Sequence, residues 1–236
     1  MFNLIGLGLN LKSISVEALQ EVQKCRQVYL ESYTADFPYT KKELELFIKK
    51  QIISLNRQEV ENENFINDAK KNDVALLVYG DVLSATTHIS LILKCKKEKI
   101  PFKIFHNASI LTAIGETGLS LYKFGKTASL PAWLPNFKPE SFMEIIKNNL
   151  KIKAHTLLLI DIGLGIEKAK LQIHQASQNY DVKLPKIILC EQLGINAKIT
   201  YDALKNLPNF TKHPYCFIIP SELNLMEQEF LKNQNL

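Results

Sequence analysis

Strands and helices alternate along the whole chain, and this pattern predicts an α/β protein built as two α/β domains. The first observation behind it is the run Val74-Ala75-Leu76-Leu77-Val78, which sits between Asp73 and Gly80-Asp81. Uninterrupted apolar residues of that length mark a parallel strand covered on both faces. The second is the opening Phe2-Asn3-Leu4-Ile5-Gly6-Leu7-Gly8-Leu9, another apolar run that ends in glycine. The third is a change of texture around residues 116–122, where Gly115 and Gly118 interrupt any periodic pattern. It sets the boundary between a domain of residues 1–115 with a mostly parallel sheet and a domain of residues 116–236 with a mixed sheet.

Each element has a local reason. Phe2 to Leu7 is a strand. Ser15 then caps a helix to about Lys24, with Val16, Leu19 and Val22 on one face. Gln27 to Glu31 is a strand, and Thr40-Lys41-Lys42-Glu43 has the spacing of a capping box before Leu44, Phe47 and Ile48. A short strand at Ile52 to Leu55 and a polar helix from Asn64 to Lys71 lead to the central strand Val74 to Val78. Thr86 to Lys97 reads as a helix, Phe102 to Phe105 as a strand and Ser109 to Gly115 as a helix. Beyond the boundary, strands at Thr127 to Leu130, Thr156 to Asp161, Lys186 to Cys190 and Cys216 to Ile219 alternate with helices at Glu140 to Leu150 and Ile166 to Asn179. Pro131, Pro135 and Pro139 make the first connection an ordered loop.

Composition narrows the classes. With 236 residues, 46% of them apolar, the chain can bury real cores. No apolar stretch approaches the ~18 residues of a bilayer span, and the start is a strand and not a basic, apolar leader, so the expected location is cytoplasmic, with no membrane partner. Cys25, Cys95, Cys190 and Cys216 form no C-x-x-C pair, so buried, reduced thiols are expected and no metal site. The formal charge of +5 comes almost wholly from lysine, since Arg26 and Arg57 are the two arginines. Those lysines are scattered among glutamates, which argues against a direct nucleic-acid partner.

The chemistry is sought at the strand ends, where open α/β sheets bind ligands. Gly6-Leu7-Gly8 lacks the third glycine of a dinucleotide fingerprint, and no phosphate loop, H-E-x-x-H or G-x-S-x-G is present. Asp81 reads either as a contact to a ribose or amino group or as the cap of its own turn. Thr86 and Thr87 cap the next helix or line the same pocket, and His88 reads as packed or capping ahead of a role as a base. Ser109 is an N-cap whose neighbouring N–H groups could also meet a ligand. Tyr33, Thr34, Lys123, Lys126 and Asp161 read first as loop, turn and solvated residues.

The order I-G-L-G-L at residue 5, L-E-S-Y-T at 30, G-D-V-L-S-A-T-T-H at 80, H-N-A-S-I at 106, G-L-S-L-Y-K-F-G-K-T at 118 and H-T-L-L-L-I-D-I at 155 resembles the diphthine synthase family. That family belongs to the tetrapyrrole-methylase-like class of S-adenosylmethionine-dependent methyltransferases. The resemblance implies two α/β domains with a cofactor crevice between them, usually in a homodimer. It implies S-adenosyl-L-methionine as methyl donor, S-adenosyl-L-homocysteine as product, and translation elongation factor 2 as protein substrate. The reaction implied is successive methylation of the amino group of a 3-amino-3-carboxypropyl histidine, giving diphthine in diphthamide biosynthesis. Carried over, the cofactor contacts are Leu9, Asp81, Ser84, Ser109 and Ile110 in the first domain, and Ile160, Leu193 and Tyr215 in the second.

This chain departs from the family in reading Val82 and Ser84 where G-D-P-L-V is usual, in placing Gly163-Leu164-Gly165 after Asp161, and in carrying Cys190-Glu191-Gln192-Leu193 where A-R-A-G-S is usual. In-line methyl transfer needs a neutral nitrogen and a well-aimed methyl, so no dedicated catalytic residue is expected. The chain's length leans toward three methyl groups, without a further methyl ester. Two alternatives stay open: a related methylase acting on a tetrapyrrole or other small molecule, and a non-catalytic S-adenosylmethionine-binding homologue.

Overall fold

The computed structural model describes residues 1–233. The chain divides into two compact units, Met1–Ala113 and the remainder from Ile114. In the first unit the order is β1 (Phe2–Gly6), α1 (Val16–Lys24), β2 (Gln27–Glu31), α2 (Lys41–Ile48), β3 (Ile53–Leu55), α3 (Arg57–Glu61), a 3₁₀ segment (Asn64–Lys70), β4 (Val74–Val78), α4 (Ile89–Lys97), β5 (Phe102–Phe105) and α5 (Ile110–Ala113). The strands lie in the order β3-β2-β4-β1-β5 and every pairing is parallel.

Strand side chains alternate between faces, and here both faces are covered. Ile5, Val28, Leu30, Ala75 and Leu77 pack against Ala18 and Val22 of α1 and Leu44 and Ile48 of α2. Phe2, Leu4, Leu76 and Val78 pack against Val60, Ile66, Leu91 and Cys95 on the other side. This double cover is why β4 is apolar at every position.

The second unit begins with 3₁₀ turns at Ile114–Thr117 and Leu121–Lys123, followed by β6 (Ala128–Leu130), α6 (Ser141–Lys151), β7 (Thr156–Ile160), α7 (Ile166–Asn179), β8 (Ile187–Glu191), β9 (Lys198–Asp202), β10 (Tyr215–Ile219) and α8 (Leu225–Asn233). The sheet order is β6-β7-β10-β8-β9. Only the β6–β7 pair is parallel, so the sheet is mixed. Its core joins Leu158, Leu189 and Phe217 to Phe142, Met143 and Ile146 of α6 and Ala169 and Ile173 of α7. No helix among the described residues is long and apolar enough to cross a membrane. The four cysteines are buried and unbridged.

Some local expectations need correction. Ser15 caps α1 by accepting from the Ala18 N–H, but the buried face is Ala18 and Val22 while Val16 is exposed. Helix α4 starts at Ile89 and not Thr86, because Ala85 adopts a left-handed φ of 58° and the Thr86 hydroxyl donates to the Val82 carbonyl. His88 takes the N-cap position without a side-chain capping bond. Sequence reasoning missed α3, β9 and α8. The first is one short turn held by an Asn56–Glu59 capping box, and the second is a half-exposed edge strand without a buried run.

Candidate active site

The sheet of the first unit has a topological switch point. The chain leaves β1 toward β2 in one direction and leaves β4 toward β5 in the other, although β1 and β4 are neighbours. Ligands of such sheets bind outside the carboxyl ends of the two diverging strands. Here those ends are Gly6-Leu7-Gly8-Leu9 and Gly80-Asp81. The two loops pair with each other, Gly8 N–H donating to the Gly80 carbonyl at 3.1 Å and Gly80 N–H donating to the Gly8 carbonyl at 2.9 Å.

The glycines have different jobs. A Cβ on Gly6 would lie 2.7 Å from the Gly80 oxygen, and one on Gly8 would lie 2.6 Å from the Ser13 Oγ. Both therefore serve the close approach of one loop to another. Gly80 has a φ of 75°, and a Cβ there would find its nearest neighbours, the Ala108 oxygen and Ser109 Cα, at 3.8 Å. A Cβ there would meet them in ordinary contact, so this glycine serves its φ and not a close approach.

Asp81 binds this rim together. Its Oδ1 accepts from the Leu83 N–H at 3.0 Å and the Ser84 hydroxyl at 3.2 Å. Its Oδ2 accepts from His106 Nδ1 at 2.8 Å and the Asn107 N–H at 3.1 Å. A carboxylate has about four such acceptor positions, so the buried Asp81 side chain is used up within the protein. Because β1 lies between β4 and β5, these bonds carry the β4 loop across the end of β1. Burial works against ionisation of Asp81, but the N–H donors of Leu83 and Asn107 together with His106 outweigh it and hold the carboxyl below its usual range. Asn107 completes the lacing, its amide donating to the Gly6 and Ser13 carbonyls at 3.0 and 2.9 Å.

The other expected positions of this unit surround that knot. Leu9 is buried and its carbonyl accepts from the Tyr79 hydroxyl at 2.8 Å. Ser84 is half-buried on the Asp81 turn. Ser109 is buried and its hydroxyl accepts from the Leu111 N–H at 3.2 Å, while Ile110, half-buried, starts α5. In the second unit Ile160 ends β7, Tyr215 starts β10 and Leu193 follows β8. The pairings Cys216 with Leu159 and Tyr215 with Glu191 put all three at one end of their own sheet. The Tyr215 hydroxyl donates to the Leu164 carbonyl at 2.6 Å.

The second unit holds a matching buried carboxylate. Glu227 Oε1 accepts from the Ser120 N–H at 3.0 Å and lies 3.4 Å from His155 Nε2; Oε2 accepts from Lys123 Nζ at 2.7 Å and from the Asn224 N–H at 2.9 Å. His155 is fully buried and its Nδ1 accepts from the Ser221 N–H at 2.9 Å. Its proton therefore sits on Nε2, facing Glu227. Burial opposes ionisation of Glu227, yet the Lys123 ammonium and the Ser120 and Asn224 N–H groups bring its pKa down to about 2. Sequence reasoning gave His106 and Glu227 no part. The signal for His106 was its place directly after a strand; none marked Glu227.

Two solved structures share this fold and this pattern of sequence. A protein from Entamoeba histolytica with a provisional diphthine synthase name is 33% identical, covering 99% of this chain and 97% of its own, with a TM-score of 0.90. A second diphthine synthase structure is 32% identical with a TM-score of 0.90, covering 98% and 94%. The model of the tetrapyrrole (corrin/porphyrin) methylases matches residues 1–207, and the chain belongs to that family. Within it, curated relatives are similar over 165 residues, 69% of this chain: the diphthine methyl ester synthases of Bos taurus, 47% identical, and Homo sapiens, 46% identical. The match spans 58% of the length of each.

Proposed function

We propose that this protein is an S-adenosylmethionine-dependent methyltransferase that modifies elongation factor 2 in diphthamide formation. The observation that carries the reading is the strand-end rim knotted by Asp81 at the switch point of a methylase-family fold. The residues fit such a donor in chemistry, since the two paired strand-end loops bring the Gly80 backbone beside Ala108 and the Ser109 hydroxyl. Leu9, Ser84, Ser109 and Ile110 would hold it, with Asp81 ordering the loops that carry them. The bound donor supplies an electrophilic methyl group on a sulfonium. The rim's own contribution is to fix position, since orientation alone is worth several kcal/mol.

Two finer points follow. The names of the curated relatives, which are about 46% identical, include a methyl ester, whereas the structures at 32–33% carry the name diphthine synthase. The methyl ester in those relatives' names supports a further methyl on the carboxylate after those on nitrogen, against the lean drawn from chain length. The protein also acts as a cytoplasmic homodimer in this reading. Leu121, Tyr122, Leu225 and Met226 are exposed, and Glu227 holds their two segments side by side, a surface suited to a second copy.

The test is incubation of labelled S-adenosylmethionine with elongation factor 2 carrying the unmethylated precursor. Labelled factor is expected. Label passing to a tetrapyrrole in its place, or donor binding without transfer, would replace this reading with another methylase or a binding protein.

A further inference from the structure

Methylation of an amine sets a demand that the rim must meet. An alkylammonium has no lone pair, so one proton must leave nitrogen before each methyl is added. A carboxylate acceptor needs no such step. The proposed function therefore contains proton removals with no assigned acceptor.

Among the described residues at the carboxyl end of the first sheet, His106 has the required state. Asp81 is held ionised and accepts from His106 Nδ1 at 2.8 Å, so the ring proton sits on Nδ1 and the lone pair on Nε2. The imidazole is 64% exposed, and its Nε2 has no partner among the described residues. Nearby alternatives are closed. His88 is 1% exposed with Nδ1 on the Val82 carbonyl, and burial pushes the phenols of Tyr39 and Tyr79 up.

We propose that His106 is the general base of nitrogen methylation, with Asp81 as its positioning residue; this inference rests on the function proposed above. In each round Nε2 takes one N–H proton from the substrate ammonium. The freed lone pair forms the N–C bond to the methyl carbon while the C–S bond breaks, its electron pair staying on sulfur. The imidazolium, stabilised by Asp81, then returns its proton to water. A general base contributes on the order of 10²–10⁴-fold.

The experiment follows methyl addition to elongation factor 2 by mass spectrometry for the wild type, His106→Gln and His106→Ala, with calorimetry of S-adenosylhomocysteine and ¹⁵N NMR of the histidine rings alongside. Expected are a fall in nitrogen methylation on the order of 10²-fold that exceeds any loss of donor-product affinity, partial rescue of His106→Ala by imidazole, and an Nδ1–H ring in the wild type. Ester formation on an already trimethylated factor should be spared. Wild-type rates in His106→Gln, absence of imidazole rescue, or an Nε2–H ring would overturn the assignment. A wild-type protein that methylates nothing on the factor brings down the proposed function itself, and this inference with it.

Discussion

Each unit buries a carboxylate, Asp81 or Glu227, whose four partners include one histidine, and the two units use that arrangement for different ends. Asp81 ties together loops at the carboxyl edge of a parallel sheet and leaves its histidine 64% exposed. Glu227 ties helix α8 to the Ser120–Lys123 turn and to the start of β7, and its histidine is fully sealed. The electrostatics are alike, since both carboxyls are held ionised against the cost of burial. What differs is access. A carboxylate–histidine pair open to solvent can exchange protons with a substrate, whereas a closed one can only hold structure.

The largest effect should come from opening the closed pair. Glu227→Ala strands the Lys123 ammonium, His155 and two N–H groups, and should cost about 3–5 kcal/mol of stability in denaturant unfolding. Affinity for S-adenosylhomocysteine, measured below the unfolding transition, should stay as it is. A loss below 1 kcal/mol would mean that Glu227 is not the lock of α8.

Acid should act on the same lock next. The depressed Glu227 pKa gives stability that is complete above the unfolded value near 4.5 and is lost as pH falls toward about 2, on the order of 3 kcal/mol in all. Burial also lowers the pKa of His155, so its share is complete above about 6.5 and declines as pH falls below that. Thermal melts from pH 7 to pH 3 should show this slope in the wild type and a flatter one in Glu227→Gln.

Glycine substitutions give a smaller contrast. Gly6→Ala forces a Cβ against the Gly80 oxygen and should open the rim, costing about 1–3 kcal/mol and weakening product binding. Gly80→Ala has room for its Cβ, so only its left-handed φ is strained, at about 1–2 kcal/mol. Equal destabilisation and unchanged binding in both would remove the distinction drawn between them.

How much of this was legible in the sequence follows from where the signal lies. Strands such as β2 and β4 could be read because their apolar runs are bounded by polar residues, and helix α7 because its periodicity spans 14 residues. β9 and α3 were hidden because an edge strand and a five-residue helix have too little buried pattern. In the site, Gly80-Asp81 stood out as a strand end, yet sequence alone left capping and ligand contact level. The four bonds of Asp81 come from two loops, Leu83 and Ser84 after β4 and His106 and Asn107 after β5, and no local pattern encodes the link between them. The solvated reading of Lys123 needs correction for the same reason, because its ammonium closes at 2.7 Å on Glu227, a partner 104 residues away in the chain.

In the proposed function the rim tied by Asp81 is what holds the methyl donor. Calorimetry of S-adenosylhomocysteine on Asp81→Ala, with circular dichroism to confirm the fold, tests it most directly. Affinity should fall at least about tenfold, equivalent to ~1.4 kcal/mol, with the fold intact. A folded Asp81→Ala protein that binds as tightly as the wild type would contradict it.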